Sequence, residues 1–150
     1  MRAVGFECGK SGFAFVILDR VDEVVTLAAE GHRPVPANST RQNALAWIYD
    51  EVRDMSGEFK LEVARIKRAE IAMSMSNSIL EHAEVDGVVQ ASLASSGIPC
   101  ETIPWKTMAA HLGFPKKDAA IANLKTRTQF DKVARSRMGA LGAALVAIEA

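Results

Sequence analysis

The amino-terminal part of the chain is organised into short apolar segments with the two-residue period of β-strands. Three segments, over residues 3–7, 13–18 and 23–29, are rich in β-branched and aromatic residues. The polar and glycine-containing breaks between them are short enough for hairpin turns. This pattern predicts an antiparallel meander of three strands, which Pro34 and Pro36 bring to an end.

A helical period replaces the strand period after the two prolines. Ser39 is followed three residues later by Gln42, which is the spacing of a capping box, and an apolar stripe continues from there. The stripe consists of Leu45, Ile48, Val52 and Met55. We therefore predict a first helix that begins at Ser39 and ends at Gly57.

Strands and helices alternate in the rest of the chain. In chain order the predicted elements are a strand over 61–67, a helix over 76–95, a strand over 100–103 and helices over 105–112, 117–124 and 133–148. Met73 and Met75, at the start of the second helix, are interpreted as core filling.

The resulting order, β-β-β-α-β-α-β-α, predicts an α/β fold with a five-stranded mixed sheet and helices on both faces. Because linkers and internal repeats are absent from the sequence, residues 1–150 are predicted to form a single domain.

Composition narrows the classes of function and location. The 18 basic and 18 acidic residues cancel, so the whole molecule has no net charge that would attract nucleic acid or an anionic membrane. The amino terminus lacks the pattern of a signal peptide, and no apolar segment approaches the roughly 20 residues of a membrane span. Cys8 and Cys100 are far apart in sequence and are interpreted as buried free thiols. We expect a cytoplasmic protein that has no membrane partner.

Charge is nevertheless unevenly distributed along the chain. Between residues 105 and 138 the cations greatly outnumber the acids, which are Asp118 and Asp131. This excess predicts a face that contacts phosphates, because cations displace the counterions of nucleic acid. Solvated helix surface is the alternative interpretation. The predicted face, which includes three cations from the end of the fourth strand, consists of Arg65, Lys67, Arg68, Lys106, Lys116, Lys117, Arg135 and Arg137.

Several short motifs carry a resemblance to a known family. They are Val4-Gly5-Phe6-Glu7-Cys8-Gly9, Gly12-Phe13-Ala14, Ile103-Pro104-Trp105-Lys106, Leu112-Gly113, Lys116-Lys117 and the small-residue carboxy-terminal helix. On these motifs and on the element order, most of the chain resembles the RuvC-type Holliday-junction resolvases, a branch of the ribonuclease H-like superfamily. It is also similar to a set of small bacterial proteins of this fold. The resemblance implies a ribonuclease H-like fold, nucleic acid as a partner and a homodimer as the assembly.

The resemblance also implies a reaction, the hydrolysis of phosphodiesters by two Mg²⁺ ions that carboxylates hold at the strand ends and the final helix. This chain departs from that pattern. Glu7 stands where the family has Asp, Lys67 stands where it has Glu, and residues 134–139, where it has Asp, contain no acid. Because cations in place of carboxylates repel Mg²⁺, we predict a vestigial site without a cofactor. In that site Glu7 is expected to form an ion pair with Lys67, which would lower the pKa of Glu7.

Three functions are compatible with these patterns. The first is a catalytically degenerate RuvC-like protein that binds branched or duplex nucleic acid. The second is a divergent Mg²⁺-dependent nuclease that uses Glu7 with Glu70, Asp118 or Asp131, although both aspartates fit better as caps of helix starts. The third is a protein-interaction module that kept the fold alone.

Overall fold

The computed structural model describes residues 1–70 and 76–150, so the interpretation of Met73 and Met75 lies outside the described residues. The strands are β1 (Arg2–Gly9), β2 (Gly12–Val21), β3 (Val24–Pro34), β4 (Val63–Lys67) and β5 (Cys100–Ile103). The helices are α1 (Arg41–Phe59), α2 (Asn77–Ser95), α3 (Trp105–His111), α4 (Lys117–Thr126) and α5 (Met138–Glu149). In the described part of the chain, no helix is both long enough and apolar enough to cross a membrane.

The strands form one five-stranded mixed sheet in the order β3-β2-β1-β4-β5. The first three strands are an antiparallel meander, whereas β4 is parallel to both β1 and β5. The fold class predicted from the sequence is confirmed. The parallel pair at the centre matters most for function, because the carboxyl ends of β1 and β4 lie at the same edge of the sheet.

Alternation along the strands sends side chains to two separate cores. On one face, Ala3, Val16 and Leu18 pack with α3, α4 and α5. On the other face, Val4 and Phe6 pack with α1 and α2. Helices therefore cover both faces, as the strand–helix alternation predicts.

Helix α5 lies against β1 with almost no space between the two backbones. Every residue from Met138 to Ile148 is buried, and most of them are small. Gly5 on β1 makes the approach possible, because a Cβ atom there would lie 2.0 Å from the carbonyl oxygen of Ala140 and 2.2 Å from the amide nitrogen of Ala144. The amino end of α5 is thereby brought to the carboxyl end of β1.

Both predicted boundaries of the first helix are wrong. The cap of α1 is Thr40 and not Ser39, because the Thr40 side chain accepts the Asn43 N–H at 3.2 Å. The helix also runs through Gly57, since Lys60 takes the left-handed conformation (φ 51°) that a terminal glycine would otherwise supply.

The final helix begins at Met138 and not at residue 133. Ala134 is extended (φ −57°, ψ 139°), which interrupts the helix, and a 3₁₀ turn over Arg135–Arg137 precedes α5. Asp131 accordingly lies at the end of an earlier 3₁₀ turn, Thr128–Phe130, and does not cap a helix start as predicted.

Candidate functional site

Opposite charges lie side by side where β1 and β4 end. Glu7 and Lys67 are register partners in the parallel pair, so their side chains leave the same face of the sheet, the face that α5 covers. Lys67 is buried, with 7% of its surface exposed, whereas Glu7 is half-buried. The sequence prediction that these two residues are neighbours is confirmed.

The Glu7 carboxylate occupies the amino end of α5. The backbone N–H of Ala140 lies close enough to stabilise its negative charge, which acts to lower the pKa of Glu7. The carboxylate also fills the space that a side chain at residue 139 would need, because a Cβ atom on Gly139 would lie 2.0 Å from Glu7 Oε2. Glu7 therefore places a negative charge beside the otherwise unsatisfied backbone N–H groups of a helix start, where a carboxylate is favourable.

The predicted ion pair between Glu7 and Lys67 is wrong. None of the ion pairs within residues 1–70 and 76–150 includes either residue. Burial raises the pKa of Glu7 above its ordinary value, and this effect exceeds the opposing effects of Lys67, His82, Lys117 and the Ala140 N–H. The predicted direction failed because α5 removes water from the carboxylate more effectively than Lys67 stabilises its charge.

A second buried carboxylate, which sequence reasoning missed, lies on the opposite side of the same strand ends. Asp86 on α2 is 4% exposed, and its Oδ2 accepts the backbone N–H of Ala69 at 2.9 Å. His82 Nε2 lies 3.5 Å from Asp86 Oδ1, and both atoms are buried without a hydrogen-bond partner within the described residues. The available sequence signal was the position of Asp86 on the apolar stripe of α2, three residues before Val89.

The environment of Asp86 shifts the pKa of this carboxyl in the same direction as the environment of Glu7 does. Burial raises the pKa of Asp86, and the Ala69 N–H, His82, the Cys8 thiol and Lys67 act in the opposite direction. Lys67 is thus within electrostatic range of both carboxylates, one on each side of the sheet edge.

The two cysteines do not supply a nucleophile to this site. Both are free thiols, Cys8 buried and Cys100 half-buried. Burial raises the pKa of Cys8 well above its ordinary value and raises that of Cys100 to about 12, so neither thiol ionises readily.

The remaining candidate acids do not converge on Glu7. Glu70 lies near the site, but its carboxylate pairs with the ammonium of Lys117 at 3.6 Å. Asp118 lies in the first turn of α4, where a negative charge is favourable, but it is not the cap that was predicted, because Lys116 is the N-cap and no side chain makes a capping hydrogen bond. Both Asp118 and Asp131 are exposed.

These residues do not fit a two-metal centre. Within residues 1–70 and 76–150, no three His, Cys, Asp or Glu side chains lie close enough together to hold a metal ion. Mg²⁺ gives up its water only to well-placed oxygen ligands. The Glu7 carboxylate lies against Gly139 at the amino end of α5, and a lysine stands on the neighbouring strand end.

In the structure, some residues of the predicted cationic face are exposed, whereas others are paired with acids or buried. Arg65 pairs with Glu101 at 3.5 Å, Arg137 pairs with Glu30, and Lys67 is buried. The members that remain exposed are Arg68, Lys106, Lys116, Lys117 and Arg135, of which Lys117 pairs with Glu70. Arg137 faces β3, where Glu30 lies, and is therefore not an open member of the predicted face.

Comparison with solved structures identifies the architecture. RuvC from Thermus thermophilus superposes with a TM-score of 0.75 and 14% identity over 97% of this chain and 92% of that chain. T. thermophilus RuvC in complex with a Holliday junction substrate gives 0.70 and 14% identity over 97% and 91%. The fowlpox virus Holliday junction resolvase gives 0.53 and 11% identity over 97% of both chains. No protein-family model matches the sequence, and no curated protein sequence matches it.

The chain therefore has an α/β fold of the ribonuclease H-like class. Within that class its architecture is the RuvC-like one that Holliday junction resolvases share.

Proposed function

We propose that this protein binds branched or duplex nucleic acid at the carboxyl edge of its sheet and does not cleave it. One observation carries the proposal: charge is separated along the direction of the parallel strands. The exposed cations belong to segments that begin where β4 and β5 end, or that lead into the amino end of α5.

The two edges of the sheet differ in their open charges. Arg68 follows β4, Lys106 follows β5, and Arg135 precedes α5, whose first residues contact Glu7. At the opposite edge, where α1 ends and β4 begins, the two exposed acids Glu58 and Glu62 outnumber the exposed Lys60 between them. A local cationic surface of this kind attracts phosphates even though the net charge of the molecule is zero.

The proposal that the protein does not cleave nucleic acid rests on the residues beside Glu7. In an active resolvase the neighbouring strand end and the final helix are expected to supply carboxylates. Here those places are taken by Lys67 and by Gly139, which has no side chain. A single carboxylate next to a buried ammonium offers Mg²⁺ too few ligands for catalysis.

Binding is tested by fluorescence anisotropy with a four-way junction and a duplex of equal length over a series of salt concentrations. Log K is expected to fall linearly with log salt. The double variant Lys116→Glu, Arg135→Glu should abolish binding, because it replaces two exposed cations of the face with anions. The charge reversal Arg20→Glu on β2, which lies away from this face, serves as the matched control and should change little. An absence of binding at low salt would contradict the proposal and favour a protein-interaction module.

Cleavage is tested with the same substrates and an RNA–DNA hybrid in the presence of Mg²⁺ or Mn²⁺. We expect no product from the natural protein or from Glu7→Gln. Cleavage that is present in the natural protein and lost in Glu7→Gln would overturn the degenerate site and favour a divergent nuclease.

A further inference from the structure

A cavity of about 310 Å³ lies between α2 and the carboxyl ends of β4 and β5. Four residues that share one face of α2 form one of its walls, namely Ile79, Ala83, Asp86 and Gln90. The cavity is on the face of the sheet that packs with α1 and α2, opposite to the face that α5 covers. Its volume is within the range of sites for small molecules, which begins at about 300 Å³.

The cavity lies at the same edge of the sheet as the exposed members of the cationic face. Arg68, which is one of these members, belongs to the second wall together with Ala69, and both residues directly follow the end of β4. Thr102, the penultimate residue of β5, completes this wall. Nucleic acid that contacts Arg68 is therefore adjacent to the cavity.

The lining is mostly apolar but contains one carboxylate whose hydrogen bonds are incomplete. Asp86 is 4% exposed, and its Oδ2 accepts the Ala69 N–H at 2.9 Å. Its Oδ1 has no hydrogen-bond donor among the described residues, although His82 Nε2 lies 3.5 Å away. Because buried acceptors normally have a donor from the protein, from water or from a ligand, Asp86 indicates a ligand that carries N–H groups.

The ligand that suits this lining is neutral. Lys67 and His82 already lie within electrostatic range of the Asp86 carboxyl, so Oδ1 lacks a hydrogen-bond donor and not a counter-ion. Apolar walls with a few polar groups bind ligands that are themselves mostly apolar. A nucleobase has two apolar faces and carries its N–H donors along one edge, so it matches both parts of the lining.

We propose that this cavity holds one unstacked nucleobase of the bound nucleic acid and that Asp86 accepts the N–H groups of that base. The inference rests on the proposed function for the source of the base, and no bond is formed or broken. Guanine suits the carboxylate best, because its N1–H and N2 amino group are adjacent donors. Uracil suits it least, because its single N–H stands between two carbonyl groups. Since extruding a base is least costly where the base is unpaired, an unpaired guanosine is the expected ligand.

The cavity is tested first with the 5′-monophosphates of guanosine, inosine and uridine, and with inorganic phosphate as the reference. All four probes carry phosphate, so differences between them report the base. The backbone amide of Ala69 and the side-chain amide of Gln90 are followed by NMR. Guanosine monophosphate should bind about tenfold more tightly than inosine monophosphate, which lacks the N2 amino group and with it one hydrogen bond to a charged acceptor. Uridine monophosphate and inorganic phosphate should produce no saturable shift.

Matched substitutions test the assignment to this cavity. Ala83→Leu fills part of the cavity and should abolish the shifts caused by guanosine monophosphate. Ala91→Leu makes the same change at an exposed position of α2 outside the lining and should leave those shifts unchanged. Asp86→Asn keeps an acceptor for the Ala69 N–H but replaces the other carboxylate oxygen with a donor. That variant should lose the preference for guanosine over inosine monophosphate, and it remains informative if Ala83→Leu does not fold.

The source of the base is tested by fluorescence anisotropy with two duplexes that differ at one position. One contains a single unpaired guanosine, and the other contains an abasic site at the same place. The unpaired guanosine should bind more tightly, and this difference should disappear in Ala83→Leu but persist in Ala91→Leu.

The proposal is overturned if guanosine monophosphate produces no saturable shift, if the three nucleotides bind alike, or if Ala83→Leu binds as well as Ala91→Leu does. If guanosine monophosphate binds as expected but the two duplexes bind alike, the cavity holds a free nucleotide and its assignment to nucleic acid is overturned. A failure of the proposed function is distinguishable from these results, because the protein would then bind neither duplex at low salt, whereas the nucleotide titration would still report the cavity.

Discussion

Charged side chains are paired directly at the amino end of the β1–β4 pair and have no ion pair between them at its carboxyl end. At the amino end, Arg2 donates to both carboxylate oxygens of Asp19 at 2.6 and 2.7 Å and to the carbonyl oxygen of Phe59 at 2.8 Å. At the carboxyl end, Glu7 and Lys67 are register partners without an ion pair between them. Strand β1 therefore begins with a charge that is paired directly, to Asp19 on β2, and ends with one that has no ion pair across to β4.

The difference is visible in the titration of the two acids. The Arg2 guanidinium lowers the pKa of Asp19 through its hydrogen bonds, whereas burial raises the pKa of Glu7. A charge with a direct ion-pair partner stabilises the folded state, whereas a buried charge without such a partner destabilises it. Residues that oppose folding and yet occupy the centre of a fold are the ones for which a ligand is expected.

The largest effect is expected from a substitution that forces β1 away from α5. Gly5→Ala should reduce the free energy of unfolding by about 3 kcal/mol or more, because the new methyl group meets backbone atoms that cannot move independently. Chemical denaturation measures the change. The control is Gly87→Ala on α2, where a Cβ atom meets open space. That variant should be neutral or stabilised by up to about 1 kcal/mol. Equal effects at both glycines would contradict the close approach.

A smaller effect is expected from rebuilding the carboxyl end as a cation site. The triple variant Glu7→Asp, Lys67→Glu, Gly139→Asp places at residues 7 and 67 the acids that the family resemblance implies and adds one at residue 139, the residue of α5 that contacts Glu7. The shorter Asp at residue 7 leaves room for that side chain. Mg²⁺ at ten times its Kd should stabilise this variant by roughly 1.4 kcal/mol. Thermal denaturation with and without Mg²⁺ measures the gain, and the natural protein should show none. Stabilisation of the natural protein by the same Mg²⁺ would mean that its own residues already hold the ion.

A modest gain in stability is expected from removing the charge of Glu7. Because the pKa of Glu7 is raised in the folded protein, its ionised form destabilises the fold at neutral pH, and this cost disappears as pH falls below the unfolded value of about 4.3. Glu7→Gln should therefore raise Tm at neutral pH, and the gain should vanish in acid. A Tm difference that is independent of pH would show that the effect is not due to the charge.

The smallest effect, of opposite sign, is expected at the amino end. The pKa of Asp19 is lowered, so its contribution to stability is present above the unfolded value of about 3.9 and is lost as pH falls through the folded value. Asp19→Asn should lower Tm slightly at neutral pH and should leave it unchanged in strong acid. Added salt should reduce the neutral-pH difference, because the pair is only half-buried. The comparison between the two ends fails if Glu7→Gln and Asp19→Asn shift Tm in the same direction.

Sequence reasoning succeeded where local signals coincide with the final structure. The fifth strand was predicted over 100–103 and is found there, since Pro99 and Pro104 bound it on both sides. The second helix begins after Ser76, whose side chain caps it as a serine in that position is expected to. The adjacency of Glu7 and Lys67 follows from topology, because both end parallel neighbouring strands.

The properties that were not predicted depend on packing between distant segments. The direction of the Glu7 pKa is set by the burial that α5 imposes, and nothing near residue 7 in the sequence reports it. Asp86 appears in the sequence as one more acid on a helix, and its burial becomes evident only when α2 packs against the ends of β1 and β4. The start of α5 was misplaced because Ala134 adopts an extended conformation that its own side chain does not dictate.

The contact between Glu7 and Gly139 couples the residue types that these two positions accept. A Cβ atom at residue 139 would lie 2.0 Å from Glu7 Oε2, so a side chain there requires the Glu7 carboxylate to move. A shorter acid at residue 7 would free that space, so the effects of substitutions at the two positions are expected to be non-additive. The carboxyl end of β1 and the amino end of α5 therefore constrain each other as a pair of positions and not residue by residue.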